Sequence, residues 1–150
     1  MSTADDLAIK RIQAVLDHWR PYCKRPYPIT AADILKVSRA TGLAVEVMLA
    51  QGWDESHLGT DDGRPQTYHN IYNVGNTDSG ANQQMGSWYN GMLVYAHLMV
   101  QHYGSTADVL IQRDFQRTDG KGRYASDKNY SRKFQSLIVT VRNAMATVTA

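Results

Sequence analysis

The stretch Leu43-Ala44-Val45-Glu46-Val47-Met48-Leu49-Ala50-Gln51-Gly52-Trp53-Asp54-Glu55-Ser56-His57-Leu58-Gly59 decides how this chain folds. Stepped at about 100° per residue, Ala44, Met48, Gln51 and Glu55 fall on one stripe of a helix, and the apolar pattern continues through Val47 and Ala50 to Trp53. The spacing predicts a helix that runs almost to Gly59, a residue suited to the position just past a helix end. It also sets a carboxylate, Glu55, on the side that faces the core.

Working outward, helical periodicity recurs on both sides. Toward the N-terminus, Leu7, Ile12, Val15, Leu16 and Trp19 predict a helix over residues 4–20, with Thr3 as its cap and Pro21 as its stop. Residues 21–28 hold three of the four prolines and read as an extended connector. Thr30-Ala31-Ala32-Asp33 forms a capping box that opens a short helix ending at Gly42. Toward the C-terminus, residues 60–86 turn polar and Gly-rich, with Ile71-Tyr72-Asn73-Val74 as the one strand-like run. Irregular stretches of that length inside a compact domain are commonly loops or small sheets beside a site. Helices are expected again over 88–103, from a second capping box at Ser105-Thr106-Ala107-Asp108 to about Arg117, and from a cap at Asp127 to about Met145. The fold class is thus mostly α (α+β), one domain over residues 1–150 with a small irregular or β lobe over 60–86.

Composition bounds the function. A chain of 150 residues with 43% hydrophobic and 20% charged residues is an ordinary globular domain, large enough to bury its own core. Sixteen Lys and Arg against fourteen Asp and Glu leave a net charge of +2, too small for a dedicated nucleic-acid binder. The most apolar run, from Met92 to Val100, is broken by Tyr95 and His97 and falls short of the roughly 20 residues of a membrane span. No secretory signal is visible in Met1-Ser2-Thr3-Ala4-Asp5-Asp6. The single Cys23 can form no internal disulfide and has no Cys-His motif around it.

Glu55 is the residue to single out as a candidate for chemistry. Most glutamates at helix ends are solvated surface groups, but one on a core-facing stripe loses water, which disfavours its anion and raises its pKa. A carboxyl still protonated near neutral pH can act as a general acid. Asp54, its neighbour, lies about 100° away and off the Met48 stripe.

Leu49-Ala50-Gln51-Gly52-Trp53-Asp54-Glu55-Ser56-His57-Leu58-Gly59 resembles the helix-end signature of the lysozyme-like peptidoglycan hydrolases, closest to the glucosaminidases of glycoside hydrolase family 73 and to lytic transglycosylases. Asn70-Ile71-Tyr72-Asn73-Val74-Gly75-Asn76 resembles the Asn-aromatic-Gly loop of those families, and Tyr124-Ala125-Ser126-Asp127-Lys128-Asn129-Tyr130 their Tyr-Ala-x-Asp-x-x-Tyr segment. The resemblance implies a lysozyme-like helical domain that cleaves the β-1,4-glycosidic bonds of peptidoglycan, with Glu55 as the catalytic acid. It further implies a cleft contacted by Ser56, Asn70, Tyr72, Asn73 and Asn76, Tyr124 beside the acid, and no cofactor. Two positions depart from the pattern: Asp54 stands where the family has a small or apolar residue, and His57-Leu58-Gly59 replaces Gly-Trp-Gly, leaving an aromatic contact to Trp53 or Trp88.

Glycoside cleavage commonly needs a second group, for which Asp61, Asp62 and Asp78 are candidates, Asp78 first because it follows the family-like loop. Related enzymes instead use the substrate's acetamido group or 6-hydroxyl, and Tyr124 would then align the acetamido group. No metal site is expected: His57 and His69 lack paired ligand spacing, and His97 and His102 point about 140° apart on a helix. Peptidoglycan strands are the expected partner, with no nucleic acid and no membrane. The length and the missing signal fit a phage lysin or virion-borne lytic protein, in contact with other virion proteins and acting in the cell wall or periplasm. Two rivals stand: a non-catalytic glycan-binding or virion structural module on the same fold, and a nucleic-acid role for the basic run Arg113, Arg117, Lys121 and Arg123.

Overall fold

The computed structural model describes residues 2–75 and 84–149. Among them are seven α-helices: α1 (Thr3–Trp19), α2 (Ala31–Thr41), α3 (Val45–Ser56), α4 (Arg64–Tyr68), α5 (Trp88–His102), α6 (Ala107–Gln112) and α7 (Tyr130–Ala146). A single 3-10 turn, Arg20–Tyr22, follows α1 around Pro21.

The centre of the molecule is α3. Val47, Met48, Leu49, Ala50, Gln51 and Gly52 are all buried, so this helix is enclosed on every side and not only along one stripe. It packs against α2 and α7, α1 packs on α2 and α7, and α2 on α5. The amphipathic helices α1, α2 and α7 bury Ile12, Val15, Leu16, Ile34, Val37, Phe134, Ile138 and Val141 in the same hydrophobic core. Arg142 of α7 pairs bidentately with Glu46 in the first turn of α3, at 2.8 and 2.9 Å.

Several ends differ from the sequence-based expectation, each for a local reason. Ser2, not Thr3, caps α1, its hydroxyl accepting from the Asp5 amide at 3.1 Å. The Thr30–Asp33 capping box forms as read, with reciprocal bonds of 3.1 and 3.0 Å, and Gly42 closes α2 at φ 84°. The α3 helix stops at Ser56, short of Gly59, because His57 and Leu58 both turn left-handed and the Leu58 amide bonds back to the Gly52 carbonyl at 2.9 Å. Thr106, one residue after the expected Ser105, caps α6. That helix ends at Gln112 because Asp114 and Phe115 reverse to positive φ, which drives the Phe115 ring fully into the core. Asn129 stands at the N-cap of α7, while Asp127 serves the same end from outside, its carboxylate accepting from the Asn129 amide at 2.9 Å.

The expected strand at residues 71–74 is a pair of turns, and the described part of 60–86 holds no β-strand. Asn70 explains the turn. Its side-chain amide donates to the Val74 carbonyl at 2.8 Å and its oxygen accepts from the Val74 amide at 3.1 Å, so backbone groups that a strand would offer to a neighbour are closed locally. The same region instead contains α4, started by Pro65 in its first turn. One antiparallel bridge, Gln116 with Arg123, lies elsewhere, in the loop that leads to α7.

Candidate active site

Glu55 projects from the last turn of α3 into a cleft of about 390 Å³. Its described lining comes from residues 72–75, from Leu98 and Tyr103, and from residues 124–126. Three segments far apart in sequence, the end of α3, the turn after Asn70 and the loop before α7, therefore meet at one groove.

Two side chains hold the carboxylate. Asn73 donates from Nδ2 to Glu55 Oε2 at 2.8 Å and to the Glu55 carbonyl at 3.2 Å, while the Tyr130 hydroxyl donates to Oε1 at 3.3 Å. Behind Tyr130 the network continues inward. Gln51, fully buried one helical turn before Glu55, donates from Nε2 to the Tyr130 oxygen at 3.1 Å, and its own oxygen accepts from the Tyr95 hydroxyl. Each polar group in this series has a side-chain partner, so packed side chains fix the carboxylate from behind.

Burial pushes the Glu55 carboxyl above the ordinary glutamate range, and the neighbouring Asp54 charge adds to the rise. The bonds from Asn73 and Tyr130 favour the anion and work the other way, yet desolvation dominates. Asp54 is exposed and borders a different groove, with Trp53, His57 and Lys133. Its carboxyl is also lifted, mainly by desolvation, with Lys133 opposing.

Tyr124 stands in the cleft beside Glu55, its ring 5.5 Å from that of Tyr103 and 5.8 Å from that of Tyr130. Its hydroxyl donates to the Tyr72 carbonyl at 3.0 Å, tying the loop before α7 to the turn that carries Asn73. Burial raises this phenol well above its ordinary value, so it stays a neutral hydrogen-bonding group.

The residues expected to contact substrate divide into two kinds. Asn73 reaches the cleft with its side chain. Ser56, Asn70 and Tyr72 are each only 1% exposed and are bonded within the protein. Ser56 donates to the Ile71 carbonyl at 2.7 Å and accepts from the Gly59 amide at 2.9 Å. Tyr72 stacks on Tyr95 and donates to the Met48 carbonyl at 2.9 Å, and Asn70 closes the turn. Ser56 and Asn70 stand behind the groove, whereas Tyr72 lines it with its hydroxyl bonded inside the protein. Asn76 and Asp78 lie outside the described residues. Of the other second-group candidates, Asp61 meets His57 Nδ1 at 2.7 Å and Asp62 pairs with Arg25, neither lining the cleft. Of the aromatic alternatives, Trp53 stacks on Trp19 at 4.6 Å and Trp88 lies edge-on to His69, and neither lines the cleft.

Tyr130, Gln51, Tyr95 and Tyr103 are the participants to which the sequence reading gives no role, Tyr130 appearing only as the end of a quoted motif. A signal existed for Gln51, a lone amide on the apolar stripe that ends in Glu55. Tyr95 and Tyr103 carry none, since aromatics at helical spacing read as core. Among the described residues no three His, Cys, Asp or Glu side chains stand close enough to hold a metal ion, and no helix is long and apolar enough to cross a membrane. In comparisons with known proteins, no family model, curated protein or solved structure matches this chain.

Proposed function

We propose that the protein is a glycosidase of the lysozyme-like kind, with Glu55 as its general acid. Its substrate on this reading is the glycan strand of peptidoglycan, cut at a β-1,4 linkage. The observation that carries the reading is the state of Glu55: a carboxyl at a cleft, lifted in pKa by burial and held on both oxygens by Asn73 and Tyr130. Such a group keeps its proton to higher pH than a solvated glutamate and offers it along a fixed direction, as protonation of a leaving glycosidic oxygen demands. Supporting it, the three segments that resemble the glucosaminidases and lytic transglycosylases converge on this one groove in family order.

Glu55 is the sole carboxyl among the described residues lining the cleft. The second function then falls to Asp78 or to the substrate's own acetamido group or 6-hydroxyl. In the substrate-assisted case Tyr124 is the neutral cleft group that would align the sugar, exchanging its bond to the Tyr72 carbonyl for one to the substrate. The site of action would be the bacterial cell wall, reached from a virion or during lysis.

Glu55→Gln tests the proposal directly. Purified cell walls should lose turbidity with the wild-type chain, and the variant should be slower by at least about two orders of magnitude, the scale of lost general-acid catalysis. Asp54→Asn should retain most activity. Walls that clear equally fast with Glu55→Gln would refute the assignment, and walls that are bound but never cleared by the wild type would favour a non-catalytic glycan-binding module.

A further inference from the structure

The loop that builds one bank of the cleft, together with the first turn of α7, is rich in cations. Residues 113–133 contain seven cations and three carboxylates in a chain whose net charge is only +2. All three carboxylates are taken: Asp114 by Arg123 at 2.9 Å, Asp119 by Arg117 at 3.1 Å and Asp127 by Lys133 at 2.7 Å. Arg113, Lys121, Lys128 and Arg132 are exposed, and none has a carboxylate partner among the described residues. Unpaired surface cations add little to stability, and several in one stretch repel each other.

Their place relative to the groove gives them a use. Lys121 precedes the wall residue Tyr124 by three positions and Lys128 follows Ser126 by two, so at roughly 3.5 Å per residue each backbone lies within about 10 Å of the groove edge. That is close to one screening length in physiological salt, about 8 Å, before the reach of the lysine side chain is added. Arg117 sits over the ring of Tyr103, itself a wall residue, at 5.8 Å. Of the carboxylates outside this stretch, Asp54 acts on Lys133, while Asp61 and Asp62 are engaged with His57 and Arg25.

The sugar backbone of a glycan is neutral where it is acetylated and needs no cations. The peptide stems that branch from peptidoglycan do carry free carboxylates. Resting on the glycan-cleaving reading above, we propose that the bank of Lys121 and Lys128 docks the carboxylates of these stems, making the peptide-bearing strand the preferred substrate over a bare amino-sugar strand. A nucleic acid is the poorer fit, because the excess charge is confined to one bank and the molecule as a whole is nearly neutral.

The test is co-sedimentation of the full chain carrying Glu55→Gln, which leaves the walls undigested, with intact walls and with insoluble chitin, an acetylated amino-sugar strand without stems, at about 50 and about 200 mM salt. This chain should bind intact walls at least about threefold more tightly than chitin at the lower salt, and the preference should shrink at the higher, as screening of a few exposed contacts dictates. Lys121→Glu combined with Lys128→Glu in the same background should abolish the preference. A control of equal charge change away from the cleft, Lys10→Glu with Lys24→Glu, should keep it. Equal binding to walls and chitin, or a preference that survives the Lys121 and Lys128 reversals, would overturn the proposal. So would duplex DNA that binds more tightly than intact walls and loses affinity in the same double variant. Loss of turbidity of intact walls with the wild type reports on cleavage alone, so the two readings fail separately.

Discussion

At the scale of the residue, Glu55 is a balance between burial and hydrogen bonding, and its pH behaviour follows from that balance. Because the folded carboxyl titrates above the ordinary glutamate value of about 4.5, the folded state holds its proton where the unfolded chain has released it. Stability contributed by the protonated form is present below that value and is lost as pH rises through the folded pKa. Glu55→Gln cannot ionise, so its melting temperature relative to the wild type should climb between pH 4 and neutrality, measured by thermal unfolding without substrate. A flat or falling difference would mark Glu55 as a satisfied structural ion. Tyr130 sharpens the argument, since its hydroxyl bond favours the anion. Tyr130→Phe should therefore move the alkaline limb of the activity profile upward. It also strands the buried Gln51 donor, at a stability cost of about 1–3 kcal/mol.

At the scale of the element, the end of α3 is set by Gly52. A Cβ there would collide with Leu58 and press on the Tyr72 ring. Neither neighbour can retreat easily: Leu58 is held in left-handed backbone at φ 55° by its bond to Gly52, and Tyr72 is pinned between Tyr95 and the Met48 carbonyl. Alanine gains about 1 kcal/mol of helix propensity over glycine, but overpacking a tight site costs roughly 1–3 kcal/mol. Gly52→Ala should thus lower the unfolding midpoint on balance. Because Tyr72 precedes Asn73, the same change should loosen the grip on Glu55 and reduce activity beyond what the stability loss explains.

At the scale of the whole molecule, enclosure of α3 predicts that the domain unfolds as one cooperative unit. Ile138 on α7 is 3% exposed, and Ile138→Ala should cost about 2–5 kcal/mol through lost burial and the cavity left behind. Trp19 of α1 stacks on Trp53 of α3 at 4.6 Å, which provides a fluorescence reporter far along the chain from the substitution. Its transition should shift to the same new midpoint as the far-ultraviolet helix signal. Divergent midpoints would show that α7 unfolds separately.

What the sequence determined by itself is local. The positions of the longer helices follow from apolar period, though not that of α4, the Thr30–Asp33 box and Gly42 from side-chain and backbone chemistry within a few residues, and the core-facing stripe of Glu55 from helix geometry. Tertiary structure decided everything that depends on a partner distant in the chain. Residues 71–74 have the composition of a strand, but the Ile71 and Tyr72 carbonyls accept from Ser56 and Tyr124 while Asn70 closes Val74. Phe115 left the helical course read for it because the core had room for its ring. The company of Glu55 is the clearest case: Asn73, Tyr124 and Tyr130 come from segments up to 75 positions away. Local periodicity can say which side of a helix a carboxylate takes, but only packing can say which groups close around it and how far its proton is held.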